Sequence, residues 1–250
     1  MAVLKDWLDA DGGLLRLRLA RPKANLIDAE MIAALHGALV AHGTNGALRG
    51  VLLDHEGPHF SFGASVEEHL PAQCAQMLAG LHALIVTMVE FPAPILVAVR
   101  GQCLGGGLEV ALAGTWIFAA PDAQFGQPEM KLGVFAPAAS VLLPYRVNQP
   151  TAEDLLYSGR SLGAAEAERR GLVHLLAVVD GAVEQLQVLV VRSPRRIEQR
   201  PCPREEPDGP VDRLGNAGPV RGARVVGIGR DAPVIAALGL RADLLAGRER

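Results

Sequence analysis

No apolar stretch of this 250-residue chain reaches the roughly 18–20 residues that a membrane-spanning helix requires, so no membrane partner is expected. The first residues, MAVLKDWLDADGG, carry no basic patch followed by an apolar core, which argues against a secretory leader. A strong charge of either sign is also missing. With 24 Lys and Arg against 27 Asp and Glu the formal net charge is −3, which gives no field suited to nucleic acid or to an anionic lipid surface. Cysteine is sparse. Cys74, Cys103 and Cys202 are far apart, odd in number and without zinc-ligand spacing, which excludes a disulfide scaffold and points to reduced thiols in a cytoplasmic protein. The seven histidines (His36, His42, His55, His59, His69, His82, His174) show no metal-ligand spacing either, so no metal is expected.

What is present is a large apolar fraction, 50% of the residues, in a chain long enough to bury a sizeable core. The composition changes along its length. Residues 1–185 read as one core domain in which strand-like and helix-like segments alternate. Residues 186–250 read as an atypical tail, rich in Arg, Pro and Gly, without sustained period. Prolines recur there from Pro194 to Pro233, and each costs a helix interior about 3 kcal/mol, so the tail is expected to be irregular. A shifted reading frame in a GC-rich gene would produce text of this kind, and resequencing across codons 180–195 is the check.

Within the core, LLRLRLA alternates apolar and basic residues as a half-exposed strand does. Asp28 is placed to cap a helix running to about residue 42. LRGVLLDHE reads as a buried strand. Met77, Leu78, Leu81, Leu84, Ile85 and Met88 recur at helical spacing until FPAP stops the helix. ILVAV is a short buried strand, LEVALA a helix and TWIFAA a strand. APAASVLLPYRV, AEDLLYSG and AAEAERRG read as short helices and LVHLLAV as a last strand. Strands alternating with helices at this spacing predict an α/β fold with βαβ crossovers.

Three successive glycines, Gly105, Gly106 and Gly107, stand at one strand-to-helix junction, in GQCLGGGLE. The first amides of a helix are unpaired and lie at the positive end of its dipole. The spacing fits neither a dinucleotide fingerprint nor a phosphate loop. Two readings remain open on these residues: a backbone cradle for a developing oxyanion, or close packing of helix on strand. Cys103 beside them has no base placed to activate it and reads as a small buried filler. Trp7, Trp116, Tyr145 and Tyr157 read as packing residues.

Four segments in order, RPKANLID, FSFGASVEE, VAVRGQCLGGGLEVALAG and FGQPEMKLGVFAPAAS, resemble motifs of the crotonase (enoyl-CoA hydratase/isomerase) superfamily over about residues 14–183. The resemblance implies a crotonase-type ββα spiral core followed by a C-terminal helical region. It also implies an acyl-coenzyme A thioester as substrate, with no cofactor beyond the coenzyme A that the substrate carries, and assembly as a homotrimer or hexamer. The tail, in which no resemblance is seen from about Leu186, puts that assembly in question.

Carried over residue by residue, the backbone N–H groups of Ala64 and Gly106 form the oxyanion hole. Glu109 and Glu129 supply acid and base. Lys23, Ala24, Gly63, Ser65, Val66 and Gly105 line the substrate. Arg21 and Lys23 would meet coenzyme A phosphates, and His59 and His69 flank the Ala64 loop. Retaining both glutamates favours hydration. Ser65 stands where the family has Asp, and VFAPAASVLLP replaces a glycine-rich turn. These departures are most similar to the members that hydrate cyclohexa-1,5-diene-1-carbonyl-CoA, with Ala136, Ala138 and Ala139 small enough to leave room for a ring. The alternatives are a straight-chain enoyl-CoA hydratase or isomerase, and a non-catalytic coenzyme A thioester-binding or assembly protein.

Overall fold

The computed structural model describes residues 1–176. The domain boundary near residue 185, the tail beyond it and Cys202 lie outside the described residues. A six-stranded sheet runs in the order β1 (Val3–Trp7), β2 (Leu14–Leu19), β3 (Gly50–His55), β4 (Ile95–Val99), β6 (Trp116–Ala119) and β9 (Leu175–Leu176); β1 and β2 pair antiparallel and the rest parallel. β5 (Gln102–Leu104), β7 (Gln124–Gly126) and β8 (Ser161–Gly163) form a second, three-stranded sheet. The chain therefore climbs from one sheet to the other and back, with α3 (Gly106–Ala113) leaving the second sheet and returning to the first.

The apolar runs land where their sequences place them. β3 and β4 are buried along their whole length. α1 (Ala29–Gly43) starts at Asp28, whose carboxylate accepts from the Met31 amide at 3.0 Å. It buries Met31, Ile32, Leu35 and Leu39, and α2 (Cys74–Val89) packs on it through a stripe that includes Met77, Leu81, Leu84, Ile85 and Met88. α4 (Pro137–Leu142), α5 (Gln149–Ser158) and α6 (Ala164–Arg169) match the three short helices expected.

The structure corrects several readings. β2 is not an ordinary half-exposed strand, because Arg16 and Arg18 both donate to Asp54, which stands opposite Arg18 in the register and is 1% exposed. The last strand begins at Leu175, three residues later than LVHLLAV suggested, and the end of that segment lies outside the described residues. The triple glycine follows β5, a strand of the second sheet absent from the reading. Tyr157 is 72% exposed and packs little. Trp116, by contrast, stacks on His174 with ring centroids 5.0 Å apart.

His55, 2% exposed at the end of β3, accepts from the Arg100 amide at 3.3 Å through Nε2, and burial together with the Arg100 charge pushes its pKa down to about 4. A folded-state pKa below the unfolded value means that the neutral ring stabilises the fold above pH ~6.5, and that this contribution disappears as the pH falls towards ~4. It amounts to about 3 kcal/mol at most. Burial pushes the neighbouring Asp54 up to about 6, which acts in the opposite direction over much of the same range. Comparison with His55→Gln cancels that term. In urea denaturation the parent is expected to be the more stable chain at about pH 7, and its advantage to shrink by pH ~4.5.

Candidate active site

The loop of residues 60–65 is tied down on both sides. Ser61 donates to the Gln102 carbonyl at 2.9 Å and accepts from the Leu104 amide at 3.0 Å, while Ile27 donates to Gly63 and Phe62 to Ala24, each at 2.9 Å. Asn25, 1% exposed, pins the preceding turn by donating to the carbonyls of Glu56 and His59. These bonds bring Ala64 against the start of α3. A Cβ built on Gly106 would lie 3.2 Å from the Ala64 nitrogen. Among the described residues neither the Ala64 nor the Gly106 N–H has a protein acceptor. Both donors are available in one small space, at the positive end of α3.

The other two glycines answer to different neighbours. Gly105 has φ +51°, and a Cβ there would lie 2.7 Å from Oε1 of Glu129. At Gly107 a Cβ would run into Ser61 at 2.5 Å. Close packing, one of the two readings the sequence left open, is thus present at Gly105 and Gly107, while Gly106 keeps its N–H without a protein acceptor beside that of Ala64.

Glu109 lies on the first turn of α3 and is 3% exposed. Its Oε1 accepts from the amides of Ala138 and Ala139, each at 2.9 Å. Those are first-turn amides of α4, whose cap position holds Ala136, a side chain without an acceptor. Glu109 is therefore the N-cap that α4 lacks. Burial pushes its pKa up, and the Ala139 and Ala138 amides and the charges of His82 and His69 pull it back. At the other end of α3, Arg146 donates to the carbonyls of Leu112, Gly114 and Thr115, so both ends of the helix are anchored.

Glu129 is not in open loop but on a one-turn 3-10 helix, Pro128–Leu132, directly after β7. Its carboxyl rests on the Gly105 backbone. Burial pushes its pKa up to about 7, and the Glu109 carboxylate pushes the same way against a hydrogen bond from its own backbone. Two carboxyls and two unused amides thus converge. Arg21 is paired with Asp28 and Glu30 rather than open to a phosphate. Lys23 is exposed with φ 85°, and the Ala24 carbonyl is taken by Phe62. Ser65, half-buried, accepts through its carbonyl from His69 at 2.7 Å, and Val66 is exposed. His59 accepts from the Gln102 amide at 3.2 Å, which makes it a support of the loop. Cys103 is fully buried, and burial pushes its thiol well up, away from the reactive range. The sequence reading missed Asn25, Gln127 and the Ala138 and Ala139 amides. Only the last pair had a signal, in the ProAlaAla that opens a helix.

Two sheets joined by a ββα spiral, with carboxyls gathered at the N-terminus of a glycine-led helix, are the architecture of the crotonase class. The chain belongs to the enoyl-CoA hydratase/isomerase family, whose family model matches residues 9–199. It is 69% identical over 174 residues to the cyclohexa-1,5-dienecarbonyl-CoA hydratase of Thauera aromatica, covering 70% of this chain and 67% of that one. It is 32% identical to a carnitinyl-CoA dehydratase of Salmonella enteritidis over 76% of both chains. The crystal structure of an enoyl-CoA hydratase from Bacillus anthracis superposes with a TM-score of 0.71 at 25% identity, covering 77% of this chain and 75% of that one. No helix among the described residues is long and apolar enough to cross a membrane.

Proposed function

We propose that this chain is a hydratase that adds water to cyclohexa-1,5-diene-1-carbonyl-CoA by 1,4-addition, giving 6-hydroxycyclohex-1-ene-1-carbonyl-CoA. The observation that carries the chemistry is the convergence of Glu109 and Glu129 beside the unused amides of Ala64 and Gly106. The ring substrate is supported by the 69% identity to the Thauera aromatica hydratase. The thioester oxygen is received by the two amides, which stabilise the charge that it gains when hydroxide adds to the β-carbon. The resulting dienolate extends over the second double bond, so the proton is delivered at the γ-carbon.

Two facing carboxyls resist ionising together. The Ala138 and Ala139 N–H groups can only donate and so favour the charge on Glu109, whereas the side-chain amide that faces Glu129 can turn to accept and so tolerates the proton there. Glu109 then takes the proton of the attacking water and Glu129 protonates carbon. The reaction is redox-neutral, and these groups with the coenzyme A of the substrate suffice. Lys23, Ala24, Gly63, Ser65, Val66 and Gly105 are the proposed substrate contacts, and of these Gly63 packs against Gly105 beside Glu129. Exposed Val66, Leu70, Leu132, Val134 and Phe135 support self-association, as the family's trimer would require, and the free Cys74 and Cys103 suit a reducing cytoplasm.

The test is hydration of the cyclic dienoyl-CoA beside crotonyl-CoA. A kcat/KM at least about 100-fold higher for the ring is expected, since about 3 kcal/mol separates a fitted pocket from a misfitted one. Equal or reversed rates would return the chain to the straight-chain hydratases. Hydration should also fall as the pH rises through about 7, because Glu129 must carry its proton to deliver it.

A further inference from the structure

We propose that Gln127 is a positioning residue for Glu129: its side-chain amide orients the Glu129 carboxyl and supports the negative charge that proton delivery leaves there. This rests on the reading of Glu129 as proton donor. Gln127 is 1% exposed and joins β7 to the turn that carries Glu129. Once Glu129 is a carboxylate, the amide is oriented with its nitrogen towards it, because in the other orientation the Gln127 oxygen would face only acceptors. In that orientation Nε2 lies 2.8 Å from Oε2 and 3.0 Å from Oε1, within reach of both oxygens of the anion, while for the protonated acid the same side chain can turn its oxygen to accept the O–H.

The choice of side chain has a chemical logic. A Lys or Arg at this position would ionise Glu129 permanently and remove the acid. An aliphatic residue would leave the anion, once formed, without a donor in a buried site. A neutral amide that does not titrate lies between these limits: it tolerates the protonated acid and favours its conjugate base. The charged group facing Glu129 from the neighbouring helix is Glu109, while Lys131 on the same turn runs along Gly159. Nothing in the reaction requires Gln127 to touch substrate. It acts through Glu129.

The experiment is the pH dependence of kcat for hydration of the cyclic dienoyl-CoA by the parent, Q127M, E129Q and the double variant. Methionine has nearly the length of glutamine and no N–H. Q127M is expected to lower kcat about tenfold, to change KM less than about twofold, and to move the alkaline limb up by about one pH unit. On the E129Q background the same change should cost less than about twofold, since its partner is gone. Should Q127M fail to fold, Q127N takes its place; it keeps the amide but withdraws it by one methylene, and a smaller shift in the same direction is expected. An unmoved alkaline limb, or an equal loss on both backgrounds, overturns the role of Gln127. Near-parental turnover in E129Q overturns the reading of Glu129, and this proposal with it. A depressed E129Q with an unmoved limb in Q127M overturns the Gln127 role alone.

Discussion

Replacing either glutamate of the pair by glutamine lowers hydration turnover by about 10²–10⁴-fold, with thioester binding nearly unchanged. The two variants are expected to fail differently. Glu109→Gln keeps an acceptor oxygen for the Ala138 and Ala139 amides, so α4 stays capped and only the basicity is lost. Glu109→Ala would remove the cap as well, and the added loss of about 1 kcal/mol in stability would confuse the reading. In the proposed mechanism Glu129→Gln removes the proton that goes to carbon. The alkaline limb near pH 7 should go with it, because burial is what raises that carboxyl into the working range. Steady-state kinetics across pH 5–9 with each variant, together with a binding measurement using a saturated cyclic acyl-CoA, provide the check. If both variants kept near-parental turnover, the pair would not be the acid and base.

A methyl group at Gly106 is expected to lower kcat/KM by about 10²–10³-fold, the cost of one oxyanion donor. The added Cβ would sit 3.2 Å from both the nitrogen and the Cβ of Ala64, in the gap between the two amides that the thioester oxygen must enter. Alanine is the better helix former, so thermal stability should change little even as activity collapses. Gly37 is the control. It lies in the interior of α1 with nothing within 4 Å of a built Cβ, and Gly37→Ala is expected to leave turnover unchanged and to raise stability by about 0.5–1 kcal/mol. Turnover within threefold of the parent in Gly106→Ala would mean that the oxyanion is held elsewhere.

Motifs and long periodic elements were legible in the sequence because their information is local. Asp28 announces α1, the Met77-to-Met88 stripe announces α2, and unbroken apolar runs announce β3 and β4. The glycines, Ala64 and both glutamates were likewise named from short patterns. Strands of three residues show no alternation, which is why β5, β7 and β8, and with them the whole second sheet, stayed hidden. The partner of Asp54 was hidden for a related reason, since Arg18 lies 36 residues away and only the parallel register sets them opposite. The proposed division of labour between Glu109 and Glu129 was also beyond local reading. In the chain both are glutamates near the start of a helical turn. In the fold, the backbone of residues 138–139 donates to Glu109, whereas Glu129 rests on the Gly105 backbone and faces the buried side chain of Gln127. A carboxyl's pKa depends on the donors and charges within a few ångströms and on its distance from water, and long-range packing alone decides what those neighbours are.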